Sequence, residues 1–217
     1  MPGSSSREEG KCPPSLHDLV TLDKVTLDTS IIVGRRSLEF VSAARLRYYR
    51  GYWSNWIVAE FSRVRTAMII RRARRELGIT EESEGDASIQ GEIERRLLRS
   101  KAKVNAAVDD FSRVLTNVSY HDAERTDLSW LTDRDDIRVM QTAIAAGVPG
   151  VLVTDNSHDF PIGEVRNGIL IVSGDMFLEH IYHLYPEARE VITRLAEARR
   201  QNLRSGNSID TEDSEEP

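Results

Sequence analysis

A chain of 217 residues, 40% hydrophobic and 29% charged, is long enough to bury one sizeable core and to carry tails or an insertion. No apolar run reaches the length of a membrane span, and the single cysteine, Cys12, excludes an internal disulfide framework and a cysteine-based zinc site. The formal net charge of −6 argues only weakly against a polyanionic partner, because five acids fall within residues 205–217 and leave the remainder close to neutral.

Residues 1–15, rich in Ser, Gly, Pro and charge, read as a disordered lead without an apolar signal segment, so a cytoplasmic location is expected. Residues 16–22 allow a short helical turn. Residues 25–33 (VTLDTSIIV) read as the first strand, interrupted by one carboxylate, Asp28. Gly34, Arg35 and Arg36 turn the chain into a helix over residues 37–50. Residues 51–54 mark a break, and Ser54 suits the N-cap of a helix reaching about Arg75. An acidic loop over residues 81–88 precedes a second, partly basic helix over residues 89–115, so that residues 54–115 form a helical hairpin. A short strand follows at residues 117–120.

Residues 133–161 (DRDDIRVMQTAIAAGVPGVLVTDNSHDFP) then form one helix–strand unit with acids at both ends. Asp133, Asp135 and Asp136 open the helix, Gly147 and Pro149 stop it, and Val151–Val153 has the apolar pattern of a buried parallel strand. Asp155, Asn156 and Asp159 follow at once. Residues 168–172 give the last strand, before helices at residues 174–185 and 186–204. This alternation predicts an α/β domain over residues 16–204 with a mainly parallel central sheet, followed by a disordered acidic tail at residues 205–217.

In open parallel sheets, ligands sit at the carboxyl ends of the strands, where this pattern gathers its acids. Carboxylates brought together there repel by about 4 kcal/mol at ~4 Å for an effective dielectric near 20, and something positive normally offsets that. Mg²⁺ or Mn²⁺ does so with oxygen ligands, and can activate water against a phosphodiester. Taken singly, each acid has a structural reading: a turn at Asp28, a favourable helix N-terminus at Asp133, Asp135 and Asp136, and turn caps at Asp155 and Asp159.

Four segments in order resemble the PIN-domain ribonucleases, a family that includes many toxins of toxin–antitoxin pairs. Leu27-Asp28-Thr29-Ser30 is similar to the opening strand motif. Trp53 to Glu60 is similar to the segment ending in the helical glutamate. Asp133-Arg134-Asp135-Asp136 resembles the third acidic motif, and Thr154-Asp155-Asn156-Ser157-His158-Asp159-Phe160 the closing one. The resemblance covers about residues 25–172 outside the helical middle. It implies a three-layer α/β/α PIN-like fold and a metal-dependent endoribonuclease.

On that resemblance, Asp28, Glu60, Asp136 and Asp159 bind Mg²⁺ or Mn²⁺, and Ser30, Thr154, Asp155 and Asn156 support them. Asn156 departs from the pattern, since many members carry Asp there, and Asp159 is preferred over Asp155 as the fourth acid. Away from the resemblance, Glu60 reads as an ion-pair partner of Arg63 or Arg65.

Arg35, Arg36, Arg71 and Arg72 are candidate contacts for an RNA backbone, against the alternative of helix faces paired with Glu76, Glu92 and Glu94. Trp56 is a candidate for stacking on bases or for helix packing. The expected partners are RNA, a cognate antitoxin and a second copy of the chain, with no membrane. Two alternatives stay open: a PIN-like module with weak or no catalysis that works by binding protein or RNA, and a phosphatase-type hydrolase. The latter lacks the second acid after Asp28, because position 30 is Ser.

Overall fold

The computed structural model describes residues 21–78 and 87–205. Within them, six strands form one sheet: β1 (Val25–Leu27), β2 (Gly51–Trp53), β3 (Leu115–Asn117), β4 (Gly150–Val153), β5 (Val165–Arg166) and β6 (Ile169–Val172). Their order is β3-β2-β1-β4-β6-β5, and every pairing is parallel except β5 with β6. The helices are α1 (Thr29–Val33), α2 (Ser37–Arg45), α3 (Asn55–Glu76), α4 (Ala87–Ser112), α5 (Arg134–Ala146), α6 (Gly174–Leu184) and α7 (Ala188–Ser205). All residues of β1, β4 and β6 are buried, so helices cover both faces of the sheet, as a parallel sheet requires. The fold is α/β.

The core runs through Leu27, Leu152, Ile169 and Ile171 in the strands and Ile32, Phe40, Met140 and Phe177 in the helices, all essentially inaccessible. Trp53 and Phe61 both pack on Phe111, with ring centroids 6.0 and 6.2 Å away, and so seat the base of the α3–α4 hairpin on the sheet. Among the described residues, no helix is long and apolar enough to cross a membrane.

The strand expected over residues 25–33 ends at Leu27. Asp28 turns its side chain back to accept from Thr29 N and caps α1, so the β-branched residues that follow are helical. Local capping and burial outweigh their strand preference. The break expected at residues 51–54 is instead β2, an internal strand between β3 and β1. Helix α2 stops at Arg45, before the predicted Arg50, and β3 lies two residues earlier than the strand predicted at residues 117–120. Helices α3 and α4 form the predicted hairpin, and α7 runs one residue past the predicted domain end, to Ser205. The acidic loop expected over residues 81–88 ends by Ala87, where α4 begins. Its residues 81–86, the lead at 1–15, residues 16–20 of the expected short turn and the tail at 206–217 lie outside the described residues.

Chain order positions the site. From β1 the chain steps outward to β2 and β3, then returns to place β4 on the other side of β1. The direction of winding therefore reverses between β1 and β4, which opens a crevice at their carboxyl ends. Asp28 N donates to Val153 O at 3.0 Å, so Asp28 and Thr154 leave the sheet side by side at that crevice.

Candidate metal centre at the carboxyl edge of the sheet

Asp28 is the buried foundation of the site. Its Oδ1 accepts from Thr29 N at 2.6 Å, and its Oδ2 accepts from the hydroxyls of Ser30 and Thr154, each at 2.7 Å. Those hydroxyls are themselves oriented: Ser30 Oγ accepts from Asp155 N and Thr154 Oγ1 from Asn156 N, both at 3.0 Å. Each hydroxyl thus takes a backbone donor and turns its own hydrogen toward Asp28. Burial nevertheless raises the Asp28 pKa, with these hydrogen bonds opposing it.

Glu60 lies in the second turn of α3, which Ser54 caps by accepting from Ile57 N. Thr142 Oγ1 from α5 donates to the same Ser54 oxygen at 2.8 Å and ties the two helices together. The partner of Glu60 is Thr29, whose hydroxyl donates to Oε2 at 2.7 Å. Arg63 bonds to Asp135 at 3.1 Å instead. Burial raises the Glu60 pKa; the Thr29 bond and the Arg63 charge oppose this, while the charges of Asp28 and Asp135 add to it. Thr29 is a site residue that the sequence pattern did not single out. Its one signal is its place beside Asp28 in the Leu27-Asp28-Thr29-Ser30 segment.

Asp136 sits in the first turn of α5, where Asp133 caps the helix through Asp135 N at 2.7 Å. Its pKa is pushed up to about 7, first by burial and then by the charges of Asp159, Asp133 and Asp28. Asn156 spans the remaining gap. Its side-chain nitrogen donates to Asp159 Oδ2 at 2.9 Å and to Asp136 Oδ1 at 3.3 Å. The bonds from Asn156 and His158 hold the Asp159 carboxyl below its usual range. The His158 side chain is 91% exposed and bonds to Asp159.

The two closing-motif acids part company. Asp159 faces Asp136 through Asn156, whereas Asp155 turns its Oδ1 to Gly174 N at 3.0 Å and so fastens the start of α6. Space at Gly174 is tight: a Cβ would stand 3.0 Å from Ile31 Cδ1 and 3.2 Å from the Asp155 oxygen, so those side chains would have to shift.

The four predicted acids therefore converge from four segments on one crevice, with Ser30, Thr154 and Asn156 among them. As placed, no three His, Cys, Asp or Glu side chains among the described residues enclose a point where a metal ion could sit. Neighbouring hydroxyls and the Asn156 amide take the acid oxygens instead. The donor set still fits a hard cation: it is made of oxygens, and Mg²⁺ binds through as few as one or two carboxylates with water completing its shell. The raised pKa values of Asp28, Glu60 and Asp136 record repulsion and burial that a cation would relieve.

The candidate RNA contacts divide. Arg36 is paired with Glu39 and Asp175, and Arg72 with Glu76 at 2.7 Å. Arg35 and Arg71 are exposed and have no ion-pair partner among the described residues. Arg71 lies about 16 Å along α3 from Glu60, so it is remote from the acids. An apolar groove of about 520 Å³ between α3 and α4, lined by Thr66, Ile69, Leu97, Leu98 and Val104, is likewise separate from the crevice.

Comparison with protein-family models, with curated proteins and with solved structures gave no match.

Proposed function

We propose that the chain is a PIN-like, metal-dependent endoribonuclease. The observation that carries the reading is the convergence of Asp28, Glu60, Asp136 and Asp159 at the β1–β4 reversal, on supports that fix each carboxylate. These four would hold Mg²⁺ or Mn²⁺, which when bound supplies positive charge at the phosphate and an activated water. Ser30 and Thr154 keep Asp28 oriented, Thr29 fixes Glu60, and Asn156 sets the separation of Asp136 and Asp159. In the hydrolysis, water oxygen bonds to phosphorus, the bond from phosphorus to the 3′ oxygen breaks, and the water's proton ends on that oxygen. The products are a 5′-phosphate and a 3′-hydroxyl. RNA as substrate, the role of toxin, an antitoxin partner and a homodimer follow from the sequence resemblance.

The second reading, a binding module with little or no catalysis, draws on Asn156. Its amide already bridges two of the acids where a carboxylate would add a ligand. Incubating labelled cellular RNA with Mg²⁺, Mn²⁺ or EDTA separates the two readings. Metal-dependent cutting by wild type that disappears in Asp136→Asn supports the nuclease. A folded, partner-free protein that cuts under neither metal leaves the binding module.

A further inference from the structure

Beyond the acids, the carboxyl edge of the sheet continues across β2 to β3 and ends in polar and aromatic groups with no role in the hydrolysis above. Asn117 closes β3, and Asn55 opens α3 directly after β2 and Ser54. Both are exposed. Asn117 Nδ2 donates to Asn55 Oδ1 at 2.6 Å. That bond does not use the Asn55 amide hydrogens or the Asn117 carbonyl oxygen, a donor and an acceptor on two exposed side chains. Such a pair matches the edge of a nucleobase.

The 3₁₀ turn Tyr120–Ala123 follows three residues later. The His121 ring lies on Tyr120, with centroids 4.1 Å apart and planes 33° apart. Tyr120 is itself held edge-on by Trp56 at 6.3 Å, and the Arg138 guanidinium lies 4.7 Å from its centroid. Glu124 accepts from both His121 and Arg138, at 2.5 and 3.2 Å. The imidazole is therefore fixed by its neighbours, yet its side chain is 60% exposed. An exposed ring already locked in place loses little freedom when something stacks on it.

We propose that Asn55, Asn117, Tyr120 and His121 form a shelf that takes one unstacked base of a single-stranded nucleic acid, by stacking on the His121 ring and pairing with the Asn55–Asn117 amides. Strand β3 lies two places from β1, about 10 Å from Asp28 at the usual strand spacing. A strand crossing the acids along this edge would thus bring a neighbouring nucleotide over the shelf. The inference rests on the nuclease reading for the strand's path, and on the side chains alone for its ligand chemistry.

The test is fluorescence anisotropy of short labelled oligoadenylate and oligouridylate strands with the full chain in EDTA, where binding is read without cleavage. His121→Ala is expected to weaken binding about tenfold, the worth of one stacked base. His121→Phe, which keeps the ring and loses the Glu124 bond, should retain most of the affinity, whereas a merely structural role of that bond would make both variants fail alike. Asn117→Ala should change the ratio of the two affinities, and a fully abasic strand should not distinguish wild type from His121→Ala. Equal affinity of wild type and His121→Ala, or no binding by wild type, overturns the shelf. Binding with this pattern by a protein that cuts under neither Mg²⁺ nor Mn²⁺ supports the shelf and removes the nuclease. Cutting with unchanged affinities removes the shelf alone.

Discussion

In the α3–α4 hairpin, Glu76 receives Arg72 and Arg96, each at 2.7 Å, and Arg96 also reaches Glu92 at 2.9 Å. Glu76 is held below its usual pKa by these arginines. In the crevice, Asp28 and Asp136 are moved the other way, by burial and, for Asp136, by other acids. The same residue type is thus offset at once on the hairpin and left without a facing cation at the strand ends. Charges that answer one another on an exposed helix face are ordinary surface chemistry. Charges crowded and half-buried without an answer are kept at a cost, and such a cost marks a candidate site.

The sharpest test of that contrast is catalytic. Asp28→Asn and Asp136→Asn each remove a charge but almost no volume. Each is expected to lower metal-dependent RNA cleavage by at least about 100-fold, in line with loss of a group that stabilises developing charge. Circular dichroism should show an unchanged fold. Normal cutting by both variants would break the site assignment.

The next effect is on stability in chelator. The Asp136 pKa rises from the ordinary 3.8 to about 7, so at this group the folded state binds more protons than the unfolded state across that window. The stability that Asp136 contributes is therefore lost as pH rises from 4 toward 7, and the loss is complete above about 7. Melting temperatures of the metal-free protein should follow that course. Asp136→Asn should flatten it, and Mn²⁺ should restore stability at pH 8. A melting temperature that rises across the window would contradict the unanswered-charge account. Glu76→Gln on the hairpin should leave the slope untouched.

Smaller effects sharpen the comparison. Thr29→Val removes the donor to Glu60. It should cost about 1 kcal/mol in urea unfolding and about tenfold in cleavage rate. Asp155→Asn should impair cleavage less than Asp159→Asn, and cost under about 1 kcal/mol by loosening the start of α6. The reverse order in cleavage would exchange the roles of the two acids. Smallest of all, Glu76→Gln should leave the melting temperature unchanged.

The strongly patterned parts of the chain were open to sequence reasoning. These were the apolar runs of β4 and β6, the helix α5 with its acidic start and Gly147 stop, and the α3–α4 hairpin. The misreadings at β2 and β3 share a cause in length. Strands β2 and β3 hold three residues each, too few for periodicity to speak, and β2 carries the Gly51 that sequence reads as a break. Residues 29–33 are rich in β-branched side chains and still fold as a helix, because the capping bond from Asp28 is a local geometry that no propensity records. In the crevice, the four acids were nameable, Glu60 only through its place in a family-like pattern. The opposite bearings of Asp155 and Asp159 were not derivable from composition, since both are acids after one strand and only the backbone decides which faces α6.

The tryptophans give the molecule built-in optical reporters. Trp56 stands one helical turn before Glu60, and Trp130 packs edge-on against Phe160, the residue after Asp159, with centroids 6.4 Å apart. Trp53, 1% exposed, is sealed in the core. Two indoles therefore flank the crevice while the third serves as an internal reference. Ion or nucleotide entry is accordingly expected to alter emission and quenching at the first two and leave the third silent, so that single Trp→Phe variants would tell one side of the crevice from the other without any attached dye.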